Sequence, residues 1–197
     1  MAGDSRASMV RSAASLIGSR GVSATSFSDV LSESGAPRGS IYHYFPDGKR
    51  QLAEDAIRFT SERVLAHQRA FPGGTPAEVL RRFIEMWRAV VKASAGAAGC
   101  VVAGVAVDTT PDDVELLEIV RATFRSWVAL LADQLTAAGV PAQRAAPIAT
   151  ATLAGMEGAL ILCRAEGNSK PLDAVAEELL RLLPAGAAPP VAKRRKR

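Results

Sequence analysis

The stretch from Ser32 to Leu52 reads SESGAPRGSIYHYFPDGKRQL and decides the fold. Gly35 can adopt the positive φ that reverses a chain after a helix, and Pro37 already has the φ of the first turn of a new helix. The Gly-Ala-Pro sequence therefore predicts a sharp turn between two short helices. This is the geometry of a helix-turn-helix, which we place at about residues 26–45.

The helix before the turn carries its own start signal. Ser26 is followed three positions later by Asp29, a variant of the capping box that opens many helices. Apolar residues on this helix and on the next one recur at helical spacing, so the two helices can pack against each other. The residues predicted to meet in this small core are Phe27, Val30, Leu31, Ile41 and Phe45.

The outward face of the second helix is polar and aromatic. Arg38 and Tyr42 lie four residues apart and share this face, from which Arg38 can reach phosphates or guanine edges. Gly39 costs a helix about 1 kcal/mol relative to alanine, which is acceptable where the helix start must approach a duplex groove. Isolated rings at such a corner are typical of half-buried core residues, but the grouping of Tyr42, His43 and Tyr44 favours DNA contact. The predicted DNA-binding residues are Thr25, Ser26, Arg38, Gly39, Ser40, Tyr42, His43, Tyr44 and Lys49.

These features are similar to those of a known family. The segment GVSATSFSDVLSESGAPRGSIYHYF, followed by KRQL, resembles the DNA-binding domain of the tetracycline-repressor (TetR) family. SGAPRGSIYHYFPDGK and the later GCVVAGVAVD resemble its LmrA/YxaF-like branch, which shares one extra residue within Pro46-Asp47-Gly48. Pro37 stands where the family commonly has serine or threonine, and Lys49-Arg50 stands where it has a lysine and an acid. The resemblance implies a dimer in which a guest in the larger domain shifts the helix that begins near Lys49.

The rest of the chain also has a helical pattern. Its 197 residues are 48% apolar, with apolar positions at helical spacing and no alternating β-branched runs. We therefore predict an all-α fold. It comprises an N-terminal three-helix, helix-turn-helix DNA-binding domain at residues 1–50 and a larger C-terminal helical ligand-binding and dimerisation domain at residues 51–184. The first helix is expected from about Ser5 to Arg20, and a long helix from Gln51 to about Ala70 is expected to join the domains.

The net charge of +4 comes from the end of the chain. The sequence closes with KRRKR after PAGAAPPVA, and we interpret residues 185–197 as a flexible basic tail that solubilises the chain or binds polyanions without specificity. No apolar run reaches the roughly 20 residues of a membrane span, and the start lacks the apolar core of a secretory signal. We expect a cytoplasmic protein with no membrane partner. Cys100 and Cys163 have apolar neighbours and are predicted to be buried thiols.

An enzyme is the first alternative class of protein. The only histidines are His43 and His67, and the sequence contains no Gly-rich phosphate loop, nucleophile elbow or metal-ligand spacing. We predict no catalytic activity, no cofactor and no metal site. A second alternative is a helical protein-interaction module without sequence-specific DNA binding. Salt distinguishes the two, because only DNA binding weakens steeply as salt rises.

The C-terminal domain has the residue types of a small-molecule pocket. Such a site needs large walls, small residues that leave volume and one or two polar groups. Gly99 and Gly104 are predicted to leave that volume. Glu157 is the strongest polar candidate because IATATLAGMEGALILC is otherwise uncharged, although an ion pair or an exposed position would also explain it. The predicted ligand-binding residues, for which core packing is the alternative, are Phe83, Trp87, Val102, Val105, Phe124, Trp127 and Glu157.

Small residues recur at every fourth position of the segment that carries Glu157. Ala151, Gly155 and Ala159 permit close approach of a second helix and, with the last helix PLDAVAEELLRLL, are predicted to form a dimer interface. The sequence thus predicts a homodimeric, ligand-responsive transcriptional regulator. We expect a repressor that binds a palindromic operator in double-stranded DNA and is released by a small apolar or aromatic inducer.

Overall fold

The computed structural model of the chain describes residues 2–184, which form nine α-helices and no strand. The all-α prediction is confirmed. The helices are α1 (Ala2–Arg20), α2 (Phe27–Ser34), α3 (Ser40–Tyr44), α4 (Gly48–Arg69), α5 (Pro76–Ala93), α6 (Val101–Asp108), α7 (Val114–Ala137), α8 (Ala142–Glu166) and α9 (Lys170–Arg181). The predicted basic tail, residues 185–197, lies outside the described residues.

The helix-turn-helix packs as the sequence predicts. The Ser26 hydroxyl accepts the Asp29 amide at 3.1 Å, and the Asp29 carboxylate accepts the Ser26 amide at 2.9 Å, which completes the predicted capping box. Gly35 has the expected positive φ of 67°. The side chains of Ile41 and Phe45 are fully buried, so α3 is fixed by its inner face.

The turn itself is longer than predicted. Pro37, Arg38 and Gly39 precede α3 and are not its first turn, because α3 begins at Ser40. The carbonyl of Pro37 accepts the Ser40 amide at 3.0 Å and closes the turn. Gly39 caps the helix with a φ of −74°, so the predicted cost of a glycine inside α3 does not arise.

In contrast to α3, two helices begin earlier than predicted. α1 begins at Ala2 and not at Ser5, and α4 begins at Gly48 and not at Gln51. Lys49 therefore lies in the first turn of α4. Because α4 runs from the helix-turn-helix into the larger body without interruption, it connects the two parts mechanically.

The larger body is built around α8, which packs against α5, α7 and α9. Among the described residues, α8 is the one helix long and apolar enough to cross a membrane. Its inner face is buried within the chain, so this composition is that of the central helix of a helical body. Cys100 and Cys163 are both buried and free, as predicted.

α1 and α6 meet backbone to backbone. A Cβ atom on Gly18 would lie 2.7 Å from the Gly99 carbonyl oxygen, and one on Gly104 would lie 2.7 Å from the Ile17 carbonyl oxygen. The prediction that Gly99 and Gly104 leave volume for a guest is therefore wrong, because that volume is occupied by α1. The glycines instead place α6 directly against the first helix of the DNA-binding part.

Candidate DNA-binding surface and ligand groove

The predicted outward face of the helix-turn-helix is exposed. Tyr42 is 70% exposed, and its ring packs edge-on against Phe27 with the ring centroids 5.6 Å apart. This contact holds the ring in place while most of the side chain stays exposed. Arg38 is also exposed and borders the same shallow groove as Tyr42. A guanidinium and a phenol on one face can make the charged and polar contacts that DNA recognition requires.

Other predicted DNA-binding residues lie beside this face. The His43 ring is exposed and packs edge-on against the half-buried Tyr44 ring at 5.1 Å. The Ser40 hydroxyl donates to the Pro37 carbonyl oxygen at 2.6 Å, and Gly39 has open space where a side chain would stand. Gly39 therefore allows a second surface to approach the start of α3.

Thr25 and Ser26 have structural positions that the sequence pattern did not reveal. Thr25 is only 4% exposed, and its hydroxyl donates to the Gly21 carbonyl oxygen at 2.7 Å. The prediction of a DNA contact through this hydroxyl does not fit, because the hydroxyl faces into the chain. The Ser26 side chain is exposed, but its oxygen is engaged in capping α2.

Contacts between charged and polar groups connect the DNA-binding part to the body. Lys49 Nζ donates to the Ser23 carbonyl oxygen at 3.3 Å, and the Ser23 amide donates to the Asp108 carboxylate, at the end of α6, at 2.5 Å. Arg50 pairs with Glu115 at the start of α7, and this hydrogen bond raises the pKa of the guanidinium. Lys49 is a predicted DNA-binding residue, but the contacts of Ser23, Asp108, Arg50 and Glu115 were missed, although Asp108 is the first charge after a long uncharged run.

Four aromatic rings form one cluster inside the body. The Trp87 and Trp127 rings are 6.2 Å apart, Phe83 packs edge-on against Trp87, and Phe124 packs edge-on against Trp127. The Trp127 indole N–H donates to Ser61 Oγ at 3.3 Å. The cluster thus brings together four of the predicted ligand-binding residues, with rings that mostly pack on one another.

The predicted ligand-binding residues do not share one cavity wall. Phe124 and Glu157 line a groove of about 540 Å³ between α7 and α8. Trp87 lines a separate groove of about 350 Å³ between α4 and α5, so the expectation that both tryptophans line one cavity is not supported by either groove. Val102 and Val105 are fully buried on α6 and belong to neither wall.

Glu157 is half-buried and makes no ion pair with any residue from 2 to 184. Among the described residues its Oε1 atom is buried and has no hydrogen-bond partner. Burial raises the pKa of this carboxyl to about 7, and the neighbouring Cys100 thiol opposes that rise. The Cys100 thiol, immediately before α6, has its own pKa raised by burial and by the nearby carboxylate. The α7–α8 groove therefore contains an incompletely satisfied carboxyl group that contacts the start of α6.

The predicted small-residue stripe of α8 faces α9 of the same chain. A Cβ atom on Gly155 would lie 3.2 Å from Val175, and Ala159 is 1% exposed. Gly155 therefore brings α8 and α9 together, and the half-buried Ala151 lies on the same stripe. The exposed apolar surface of α8 lies on a neighbouring face and contains Ile161, which is 69% exposed, and Leu162, which is 51% exposed.

Comparisons with known proteins agree with this architecture. Residues 10–56 match the family described as bacterial regulatory proteins, tetR family, and residues 76–178 match the C-terminal domain of LmrA/YxaF-like transcriptional regulators. An uncharacterized HTH-type transcriptional regulator of Mycobacterium tuberculosis is 38% identical over 183 residues, which cover 90% of this chain and 93% of the relative.

Further matches come from a second bacterium and from a solved structure. The uncharacterized HTH-type regulator YxaF of Bacillus subtilis is 30% identical over 179 residues, covering 90% of this chain and 94% of YxaF. The crystal structure of a TetR transcriptional regulator from Chloroflexus aurantiacus superposes with a TM-score of 0.74 at 25% identity, covering 91% of this chain and 94% of that one. The chain thus belongs to the TetR family of transcriptional regulators, with a DNA-binding helix-turn-helix and an LmrA/YxaF-like C-terminal domain.

Proposed function

We propose that the protein is a homodimeric repressor that binds a palindromic operator in the cytoplasm and releases it when a small apolar molecule enters the C-terminal body. Membership of a family of DNA-binding regulators argues against the alternatives of an enzyme and of a helical module that binds only proteins. The observation that carries the proposal is the exposed pair of Arg38 and Tyr42 on a helix-turn-helix that α4 joins to a grooved body.

The first test concerns DNA reading. The operator is identified by selecting bound duplexes from a random pool, and its affinity is measured by fluorescence anisotropy. Arg38→Ala and Tyr42→Ala should each weaken operator binding by about 1–3 kcal/mol, because each removes a contact from the exposed face. Arg144→Ala removes an exposed guanidinium from the far end of the body and is the matched control. Unchanged affinity in both test variants would refute the assignment of this face.

We propose that the dimer interface is the exposed face of α8 and not the predicted small-residue stripe. Ile161 and Leu162 are large apolar residues that a second copy can bury, and Gly158 on the same helix has open space around it. The helix-turn-helix units of two subunits must lie about 34–36 Å apart to enter successive major grooves of DNA. A palindromic operator therefore requires a dimer. Ile161→Asp should sediment as a monomer and lose tight operator binding, whereas a variant that stays a dimer would place the interface elsewhere.

α6 offers a direct route between the ligand groove and the DNA-binding part. Its start adjoins Cys100, which contacts Glu157 in the groove, and its end carries Asp108, which holds the Ser23 amide. The eight residues of α6 span about 12 Å, and no side chain separates its Gly104 from α1. A ligand that displaces the start of α6 would therefore move α1 and the Ser23–Lys49 contact. This movement would change the position of the helix-turn-helix.

The release step is tested by titrating the operator complex with a library of apolar compounds. A compound that binds should lower operator affinity, and a tenfold release requires a coupling free energy of about 1.4 kcal/mol. Asp108→Asn should reduce the coupling more than it reduces compound binding, because it weakens the contact between α6 and Ser23. If compounds bind the body in the described grooves and operator affinity never changes, the proposed ligand control is refuted.

A further inference from the structure

The α7–α8 groove has the size and surface of a small-molecule site. Its volume of about 540 Å³ lies within the range of roughly 300–1,000 Å³ that is usual for such sites. Apolar side chains of both helices form most of its wall, and small residues leave the space between them. The apolar lining consists of Phe124, Val128, Ala129, Ala132, Ala146, Leu153 and Ala154.

The polar groups of this groove are few and differ in availability. The Thr150 hydroxyl already donates to the Ala146 carbonyl oxygen at 3.0 Å. Arg125 borders the groove but is exposed, and among the described residues it makes no ion pair with Glu157. The Glu157 carboxyl, whose enclosed Oε1 atom has no partner among the described residues, is therefore the polar group of the wall that a bound molecule can engage.

The charge of Glu157 selects the chemistry of that molecule. An enclosed carboxylate without a cation is costly, and a neutral hydroxyl would fill its hydrogen-bonding site without balancing its charge. An anionic molecule would be repelled. A protonated amine supplies both a donor and the opposite charge, and the Phe124 ring in the same wall can favour a nearby cation.

We infer that the groove between α7 and α8 binds an apolar molecule that carries a protonated amine, with the ammonium group against the Glu157 carboxylate. This inference rests on the proposed function, because it names the chemical class of the inducer. It also explains how the ligand would act on α6. An ammonium group that engages Glu157 would approach the neighbouring Cys100 thiol, which lies immediately before that helix.

The inference is tested with three probes that share one apolar body, namely 4-phenylbenzylamine, 4-phenylbenzyl alcohol and 4-phenylbenzoate. Their binding to the full-length protein, without DNA, is measured by isothermal titration calorimetry at about pH 8, where the amine is still largely protonated. The amine should bind most tightly and the benzoate most weakly. Equal affinities of amine and alcohol would overturn the inference, as would a failure of all three probes to bind.

Three variants locate the site. Glu157→Gln should weaken amine binding by about ten- to a hundredfold, because the ammonium group would then meet a neutral amide and not a charged carboxylate. Alcohol binding should stay nearly unchanged, because a neutral hydroxyl can form a hydrogen bond with either side chain. Glu166→Gln neutralises an exposed carboxylate at the end of the same helix and should change neither affinity. Ala129→Phe fills the groove and should abolish binding of every probe. Amine binding that survives Glu157→Gln or Ala129→Phe would overturn the inference.

A second copy of the chain is the other occupant that an apolar groove can accept. Ile161→Asp, which is expected to be monomeric, distinguishes a second copy from a small molecule. If this variant binds the probes and the wild-type dimer does not, the partner subunit covers the groove and the inference is overturned. Operator release by the same probes is measured separately. If the alcohol releases the operator as effectively as the amine does, the amine preference is overturned. The proposal of a ligand-responsive repressor would still stand. Amine binding in the groove without any release would refute ligand control and leave the site standing.

Discussion

The buried carboxyl of Glu157 makes the stability of the fold depend on pH. Its pKa rises from 4.5 to about 7 on folding, chiefly because burial disfavours the charged form. A carboxyl with a higher pKa in the folded chain stabilises the fold when protonated. That contribution is complete below about pH 4.5 and is lost as the pH rises through about 7. At about 1.4 kcal/mol per pKa unit, the full loss is about 3 kcal/mol.

Glu157→Gln should remove this pH dependence. The free energy of unfolding is measured by urea titration with circular dichroism between about pH 5 and about pH 8. The protomer concentration is held fixed, because the stability of the proposed dimer depends on it. The variant should exceed the wild type by about 2–3 kcal/mol at about pH 8 and match it near pH 5. Other carboxyls with shifted pKa values, such as Asp29 and Glu78, are present in both proteins and cancel in the comparison.

Glu166→Gln is the matched control, because this glutamate is exposed on the same helix. It should leave the pH profile of the wild type unchanged. The reasoning fails if the wild-type and Glu157→Gln profiles run parallel, since the carboxyl would then be equally solvated in the folded and unfolded chains.

Three further predictions follow from local contacts. Thr25→Val should lower the free energy of unfolding by about 1 kcal/mol, because it removes the hydrogen bond to Gly21, yet leave operator affinity unchanged; a selective loss of DNA binding would contradict the structural role. Tyr42→Phe should keep the ring against Phe27 and the stability of the fold, but weaken operator binding by about 1 kcal/mol in anisotropy titrations, and equal affinity would show that the hydroxyl makes no contact. Gly104→Ala should destabilise the fold by about 1 kcal/mol in urea titrations, because the clash of its Cβ with Ile17 outweighs the gain in helix propensity, and a more stable variant would show that α6 can shift freely.

The helix-turn-helix could be predicted almost completely from the sequence because its determinants are local. The capping box of Ser26 and the positive φ of Gly35 depend on a few neighbouring residues, and both are present in the structure. Pro37 was placed inside α3 because proline is typical of a first helical turn, but here it belongs to the turn before the helix. The inward positions of Ile41 and Phe45 followed from helical spacing alone.

The body was harder to predict because periodicity shows which face of a helix is buried but not what buries it. Gly104 and Gly155 were interpreted as space for a guest and for a second subunit, but they give space to α1 and α9 of the same chain. Trp87 and Trp127 share apolar faces and do meet, yet only Trp87 borders one of the two grooves described. Glu157, a predicted ligand-binding residue, lines a groove, whereas its proximity to Cys100 depends on tertiary packing that no local pattern encodes.

The glycine contact between α1 and α6 has a consequence for building hybrid regulators. A chimera can combine this body with a DNA-binding part from another regulator, or this DNA-binding part with another body. In either case it must reproduce the contact in which Gly18 faces Gly99 and Gly104 faces the Ile17 carbonyl. A DNA-binding part with a larger residue in place of Gly18 would hold the two backbones apart, and the direct contact between α1 and the start of α6 would be lost. Compatibility of exchanged parts should therefore be judged by these three glycines before any resemblance of the DNA-contacting residues.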